Sequence, residues 1–452
     1  MQKKIKYSDI GKLLVKKGIL LPKSHEQEYC KKNRIMLARN SNGSTTLCSY
    51  GLSSDYKSAR VELSMQSGSL NDPKNKAGAH HYLEHMLFNK KYRDIFLEND
   101  INANASTSNS RVRFYIDGLN NGKYKNFGVP AVLDTVYNSF FVPEGLDDKI
   151  YLKYEREVIK REIDEENGDF YKMAEKTFEE MLFEEDSFIR NNILGTEESL
   201  HNISAKDLKA IHKKYANPQN TIIMVSGEST KREMDYLFNT INKKISKQPK
   251  FGIKTAPKYM LDPKIKKFDS FNYLESRLEN VKNNLCAVGF VTKLNIPIYS
   301  EEEFSMNALL SFLDRMYFEK IRDKGLIYSG YTNKYNFYNG DQIIYAVGFV
   351  PSSKASKTIP LLEKEFNNLL KQILNKKLLD KVYKSFVLES MAVPLSFSNK
   401  VKDFTTFYRL FGLIPNSMEF RKHRVNFGLP SLYQNVTKLL DSKKVLFKVG
   451  DF

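Results

Sequence analysis

His81, Glu84 and His85, in the segment His81-Tyr82-Leu83-Glu84-His85, are the residues of this chain whose types and spacing best suit catalysis. Placed on a helix at about 100° per residue, these three share one face, while Tyr82, Leu83, Met86 and Leu87 share the other. The apolar face would anchor the helix. The polar face would offer two imidazoles, one turn apart, to a single ion, with a carboxylate beside the second imidazole. Imidazole with carboxylate is a borderline donor set, which suits zinc and leaves a fourth tetrahedral position for water. Zinc bound there would bring the pKa of that water down to about 7, within reach of Glu84 as a base. The chemistry expected is attack of water on a peptide carbonyl. Histidine occurs only 7 times in 452 residues, so two of them at this spacing around a glutamate is a selective signal.

Two histidines need a third protein ligand. The stretch from Tyr151 to Glu162 lacks Gly and Pro and reads as helix, and Glu155 and Glu162 fall two turns apart on one face of it. Glu157, Glu165 and Glu166 compete, and spacing does not choose among them. His80 would point about 100° away from His81 and is a neighbour, not a ligand. His25, His201, His212 and His423 have no partner at ligand spacing and read as surface or hydrogen-bonded polar residues. Cys30, Cys48 and Cys286 are scattered, so neither a disulfide framework nor a thiolate metal site is expected, and a reducing compartment fits.

The elements around these residues imply two domains. A chain of 452 residues exceeds what one core usually supports, and 41% hydrophobic residues suffice for two. Two similar apolar runs, Thr221-Ile-Ile-Met-Val-Ser-Gly227 and Lys444-Val-Leu-Phe-Lys-Val-Gly450, each follow a polar helix-like stretch and each read as a buried strand closing one half. The alternation from Ala59 to Met65 predicts a half-buried strand, followed by a turn over Ser67–Pro73. Val112–Asp117 predicts another strand, Lys231–Ile245 a helix, Asn283–Thr292 a strand and Glu301–Ile321 a helix. Between the halves, residues 246–263 concentrate Pro, Gly and Lys and read as a linker. The Phe- and Tyr-rich run Phe404–Phe411 reads as core or chamber lining.

The formal charge of +18 is spread along the chain with no basic helix or basic-aromatic module, so no nucleic-acid partner is expected. No apolar run approaches the roughly 18 residues of a membrane span. The basic amino-terminal stretch, with Lys breaking its apolar runs, resembles neither a signal nor a transit peptide. A cytoplasmic protein without membrane contact is the expectation.

The segment Gly78-Ala-His-His-Tyr-Leu-Glu-His-Met-Leu-Phe88 resembles the active-site helix of the pitrilysin family of inverzincin metallopeptidases, which includes insulin-degrading enzyme and the mitochondrial processing peptidase. In that family the third ligand is the second Glu of a Glu-x6-Glu pair well beyond the motif, which implies His81, His85 and Glu162 as ligands of one zinc ion per chain. Glu155 would be the acid that orients a ligand. Asn104-Ala-Ser-Thr107 is similar to the family's Asn-Ala-x-Thr strand, on whose edge substrate adds as a further strand. Asn104 and Ala105 would then touch the peptide backbone. Ile321-Arg-Asp-Lys-Gly-Leu-Ile-Tyr-Ser329 resembles the family's Arg-Tyr element, so Arg322 and Tyr328 would bind substrate and polarise the scissile carbonyl. The spacing here is one residue shorter, the usual glycine pair is replaced near Phe312-Leu-Asp-Arg315, and Lys324 or Tyr331 are alternative occupants.

The resemblance implies an α+β fold of two similar domains, each a mainly antiparallel sheet packed with helices, forming half of a clam-shell. Residues 1–245 would be the zinc-binding peptidase domain, 246–263 the linker and 264–452 a second peptidase-like domain carrying the Arg-Tyr element. Because a full chamber needs four such domains, a homodimer is implied, or a heterodimer with a related subunit. The function implied is a zinc endopeptidase acting on short or unfolded peptides, with Glu84 as base. The alternative is a non-catalytic regulatory or scaffold subunit of a related peptidase.

Overall fold

In a computed structural model, residues 7–51, 57–120, 126–255, 263–278, 284–325, 327–392 and 397–450 are described. Leu326 and part of the sequence-predicted linker, residues 256–262, lie outside them. The first half contains β1 (Ile35–Arg39), β2 (Thr45–Gly51), β3 (Ser58–Met65), β4 (Asn102–Ser108), β5 (Arg111–Leu119) and β6 (Thr221–Glu228). The second contains β7 (Tyr273–Arg277), β8 (Leu285–Asn295), β9 (Ser329–Asn336), β10 (Asp341–Pro351) and β11 (Val445–Gly450). The fold is α+β, two mainly antiparallel sheets packed with helices, as the sequence implies.

The first sheet runs β1-β2-β6-β3-β5-β4 and the second β7-β11-β8-β10-β9. Apart from β1 the two orders match, and so do the directions. The parallel pair β2–β6 corresponds to β7–β11, and the remaining pairs in both are antiparallel. The two apolar runs that close the halves are β6 and β11, each second in its sheet once β1 is set aside and buried along most of its length.

One face of the first sheet, carrying Val61, Leu63, Val112, Phe114, Ile116, Ile223 and Val225, packs against the helices Ala79–Leu87, Val129–Phe141 and Lys231–Ser246. Its other face is apolar toward β1, β2 and β6, where Ile35, Leu37, Leu47, Ile222 and Met224 belong to one cluster with Phe404 and Ile414. Over β3 and β5 that face is polar, presenting Arg60, Glu62, Arg113, Tyr115 and Asp117. The second sheet is apolar on both faces. Val288, Phe290 and Ile344 pack on the helix Glu301–Asp323 side, and Ala287, Val291, Tyr345 and Phe447 on the other.

The helices do not respect the sequence boundary. Phe170–Leu182, from the first half, lays Phe170, Ala174, Phe178 and Leu182 on the second sheet. Phe397–Phe411, from the second half, covers part of the first sheet, and Pro415 in the segment after it forms an antiparallel β-bridge with Leu20. Both are amphipathic, and an apolar stripe does not encode which sheet it will cover. No helix among the described residues is long and apolar enough to cross a membrane.

Candidate metal centre

The motif helix, Ala79–Leu87, starts from a tightly specified turn. Gly78 has φ +87°, and a Cβ there would lie 2.3 Å from the Leu194 carbonyl oxygen, so only glycine fits. Asp72 supplies the missing cap. Its carboxylate accepts from the backbone N–H of Gly78 at 2.8 Å and of His80 at 2.9 Å. It also meets His80 Nδ1 at 2.6 Å, while His80 Nε2 lies 2.9 Å from Ser67 Oγ. His80 is thus a fully buried pin that fixes the helix start and is turned away from the other two imidazoles. At the far side, the Tyr82 hydroxyl donates to the Leu152 carbonyl and ties the motif helix to the helix Lys149–Gly168.

That long helix brings Glu155 and Glu162 to the motif. His81 Nε2 and His85 Nε2 lie 3.5 and 3.6 Å from the same oxygen, Glu162 Oε2. One donor atom from each of His81, His85 and Glu162 lies within 4.8 Å of the others. Ligands about 2.1 Å from a zinc ion at tetrahedral angles stand roughly 3.4 Å apart, so these separations fit such an ion with little adjustment. The spacing left Glu157, Glu165 and Glu166 open as third ligand; among the described residues the cluster contains Glu162 and none of them.

Glu155 stands behind His85. Its carboxylate accepts from His85 Nδ1 at 2.9 Å and lies 3.7 Å from Arg93 Nη2, while it is itself buried. This is the carboxylate–imidazole arrangement that fixes which ring nitrogen faces a metal. His81 Nδ1 is buried and has no hydrogen-bond partner among the described residues, so no carboxylate backs it as Glu155 backs His85.

The electrostatics separate the two imidazoles. Burial, with His85 nearby, pushes His81 down to about 4. Burial also acts to lower His85, but its hydrogen bonds to Glu155 and Glu162 outweigh this and raise it to about 9. Glu155 and Glu162 are both lowered, because their contacts with His85 outweigh burial. The pocket therefore concentrates negative charge around His85, in the place where a divalent cation would sit.

Glu84 faces the same space. Its Oε2 accepts from Thr107 Oγ1 at 2.9 Å, and burial raises its pKa against the opposing pull of His85 and Thr107. A carboxyl moved toward neutrality is better matched to taking and returning a proton. Thr107 is the partner the sequence reading missed. It lay within Asn104-Ala-Ser-Thr107, but its contact with Glu84 depends on how β4 docks on the helix.

Among the described residues β4 is an edge strand of its sheet, with no strand paired to its outward N–H and C=O groups. Asn104 Nδ2 donates to the Tyr115 hydroxyl at 3.1 Å, and Asn104 Oδ1 accepts from the Ala105 N–H at 2.8 Å. Asn104 and Ala105 are thus at the edge, on the strand that carries Thr107 to Glu84. Arg322 and Tyr328 are elsewhere. Both are exposed, Tyr328 to 76%, and among the described residues no hydrogen bond or ion pair joins them to the metal cluster. Of the alternatives, Lys324 pairs with Glu365 at 2.7 Å, and Tyr331 packs on Tyr345 and Phe349.

Comparison with known proteins agrees with this architecture. The family model described as Insulinase (Peptidase family M16) matches residues 52–196, and that described as Peptidase M16 inactive domain matches residues 202–386. The "Uncharacterized zinc protease YmfH" of Bacillus subtilis is 24% identical over 267 residues, covering 55% of this chain and 57% of that protein. A protease from Helicobacter pylori superposes with a TM-score of 0.70 at 18% identity, over 92% of this chain and 99% of the other. The periplasmic protease PqqL of Escherichia coli superposes with a TM-score of 0.71 at 15% identity, over 92% of this chain but 47% of its own. This chain therefore corresponds in fold to nearly all of the solved Helicobacter pylori chain and to about half of the solved PqqL chain. With both halves matched in order, and a metal-motif helix seated in the first, the chain is a two-domain member of the pitrilysin-type peptidase family M16.

Proposed function

We propose that this protein is a zinc-dependent endopeptidase holding one Zn2+ per chain through His81, His85 and Glu162. The observation that carries the reading is the convergence of both Nε2 atoms on Glu162 Oε2 with Glu84 alongside. When bound, zinc supplies Lewis acidity and brings the pKa of water down to about 7. The chain's own residues do the rest. Glu84, steadied by Thr107, takes the proton of the attacking water and can return it to the leaving amine. Glu155 keeps His85 Nε2 aimed inward. The β4 edge around Asn104 and Ala105 takes the peptide as an added strand, which gives affinity with little dependence on sequence.

The exposure of Arg322 and Tyr328 favours an assembly in which the second domain of one copy faces the metal site of another, a homodimer or a heterodimer with a related chain. A non-catalytic subunit is the second reading, favoured by the same placement, since one chain alone does not bring those two groups to the metal cluster. Purified protein should cleave a quenched fluorescent peptide, stop on chelation and resume on adding zinc. Cleavage that resists the chelator would sink the proposal. Inactivity alone, with activity only beside a related chain, would support the second reading.

A further inference from the structure

The side chains of β4 alternate between two faces of the first sheet, and only one of them faces the metal. Thr107 points to the motif helix and reaches Glu84, with Ala103 and Ala105 packed on the same side. Asn104, Ser106 and Ser108 therefore point to the opposite, polar face. A peptide added to β4 would alternate in the same way, and every second side chain would meet that polar face.

Arg113 is the residue built to meet it. On β5 it lies directly opposite Ser106, and its Nε donates to Ser106 Oγ at 2.7 Å. The side chain thus leans from β5 onto β4, with its guanidinium beside Ser106 and near the Tyr115 ring. Among the described residues Arg113 has a cation–π contact with Tyr115, at 5.6 Å, and no carboxylate within ion-pair distance. Asp117 is held by two hydrogen bonds of 2.6 Å from Arg60. Glu62 is buried, which raises its pKa against the opposing charges of Arg111, Arg113 and Arg60, but among the described residues no ion pair joins it to Arg113.

We infer that Arg113 makes this a peptidase selective for substrates with an acidic side chain at the position that pairs opposite Ser106. The inference rests on the proposed peptidase function and names its substrate class. Directly opposed residues on paired strands have Cβ atoms about 4.5–5.5 Å apart, so a Glu or Asp beyond Ser106 can receive both terminal N–H groups of the guanidinium. An added strand of either direction gives the same contact, since alternation does not depend on strand sense.

The experiment uses the zinc-loaded full chain and two matched sets of quenched fluorescent peptides, one with a single Glu walked through each position and one with Gln in its place. At one position Glu should exceed Gln in kcat/KM by about 10- to 100-fold, the range of a charge-assisted pair made or missing. Arg113→Gln should bring that ratio to about one, and Arg113→Glu should invert it in favour of a Lys peptide. Equal cleavage of Glu and Gln peptides at every position overturns the inference while leaving the peptidase reading intact. If no peptide is cleaved, the peptidase reading fails. In that case fluorescence anisotropy with labelled Glu and Gln peptides still decides the acidic preference, equal affinities overturning it. The peptide comparison on unmodified protein holds even if a variant does not fold.

Discussion

The two sheets share an order of strands, yet the helix that follows β3 carries two of the proposed metal ligands and, among the described residues, the helix that follows β8 has no such cluster. His81-Tyr82-Leu83-Glu84-His85 in the first has its counterpart in Ser311-Phe312-Leu313-Asp314-Arg315 in the second. Each acid is bonded to a threonine of the adjacent edge strand. Glu84 accepts from Thr107 on β4, and Asp314 accepts from the Thr332 N–H on β9 at 2.7 Å. Each segment also faces a glutamate on a later helix. Glu162 is the fourteenth residue of the helix Lys149–Gly168, and Glu389 the fourteenth of Lys376–Ala392. Where Glu162 meets two imidazoles, Glu389 forms an ion pair with Arg315 and accepts from Ser311 Oγ at 3.4 Å. The seventh residues differ as well: Glu155 orients His85, while Val382 is simply buried. One scaffold places an acid that needs a cation, and the two domains answer differently, with a proposed metal ion in one and a guanidinium in the other.

The sharpest way to break this comparison is to write the second domain's answer into the first. His81→Ser combined with His85→Arg should abolish zinc binding, read as metal content per chain after dialysis. Peptide cleavage should fall by on the order of 10⁴-fold or more, since two of three ligands are gone. The chain should still fold, because Arg at 85 can pair with Glu162 as Arg315 pairs with Glu389. A double variant that keeps its zinc, or that unfolds, would show that the two sites are not equivalent. Next in size is Glu84→Gln, which leaves every ligand in place. It should keep zinc bound and lower kcat by about 10²- to 10⁴-fold, the range for loss of a positioned general base. Unchanged turnover with zinc retained would remove Glu84 from the mechanism.

How much of this the sequence reveals depends on the range of the interaction. His81, Glu84 and His85 are legible because three and four residues of helix define one face. β6 and β11 are legible because buried strands read as short apolar runs. Glu162 is only half legible: residues 151–162 look helical, but the choice among its acids rests on family resemblance until the long helix is docked on the motif. The roles of Thr107, Arg93 and Asp72 are set by contacts between separate elements and leave no local signal. The helix Phe170–Leu182 shows the same limit. Its stripe of Phe170, Ala174 and Phe178 announces an amphipathic helix, and nothing in it announces the second sheet as its partner.

Glu155→Val tests the seventh-residue difference directly by giving the first domain the residue type found at Val382. It should lower zinc affinity by about 10- to 100-fold, as loss of a carboxylate behind a ligating imidazole does. The effect should be readable by competition with a chromophoric chelator. Glu155→Gln, which can still accept from His85 Nδ1, should recover part of that loss. Equal affinities for wild type and Glu155→Val would mean that His85 needs no acceptor behind its Nδ1, just as His81 Nδ1 has none among the described residues.

The smallest effect is expected on the other side of the comparison, at Arg315→Ala. The Arg315 and Glu389 side chains are 49% and 39% exposed, so water screens the pair and solvates either partner when the other is removed. Arg315 also donates to Ser385 Oγ at 3.2 Å, and water can replace that hydrogen bond too. The expected cost is about 0–1 kcal/mol in a urea unfolding transition, with peptide cleavage unchanged. The direction matters more than the size. Glu389 without Arg315 can turn to solvent, and so can the equally exposed Glu162, but the Glu155 side chain, 3% exposed, stays against His85 and has no counterpart in the second domain. A loss of several kcal/mol at Arg315 would mean that the second domain depends on its cation as strictly as the first is proposed to depend on zinc, and the contrast between them would be one of chemistry alone.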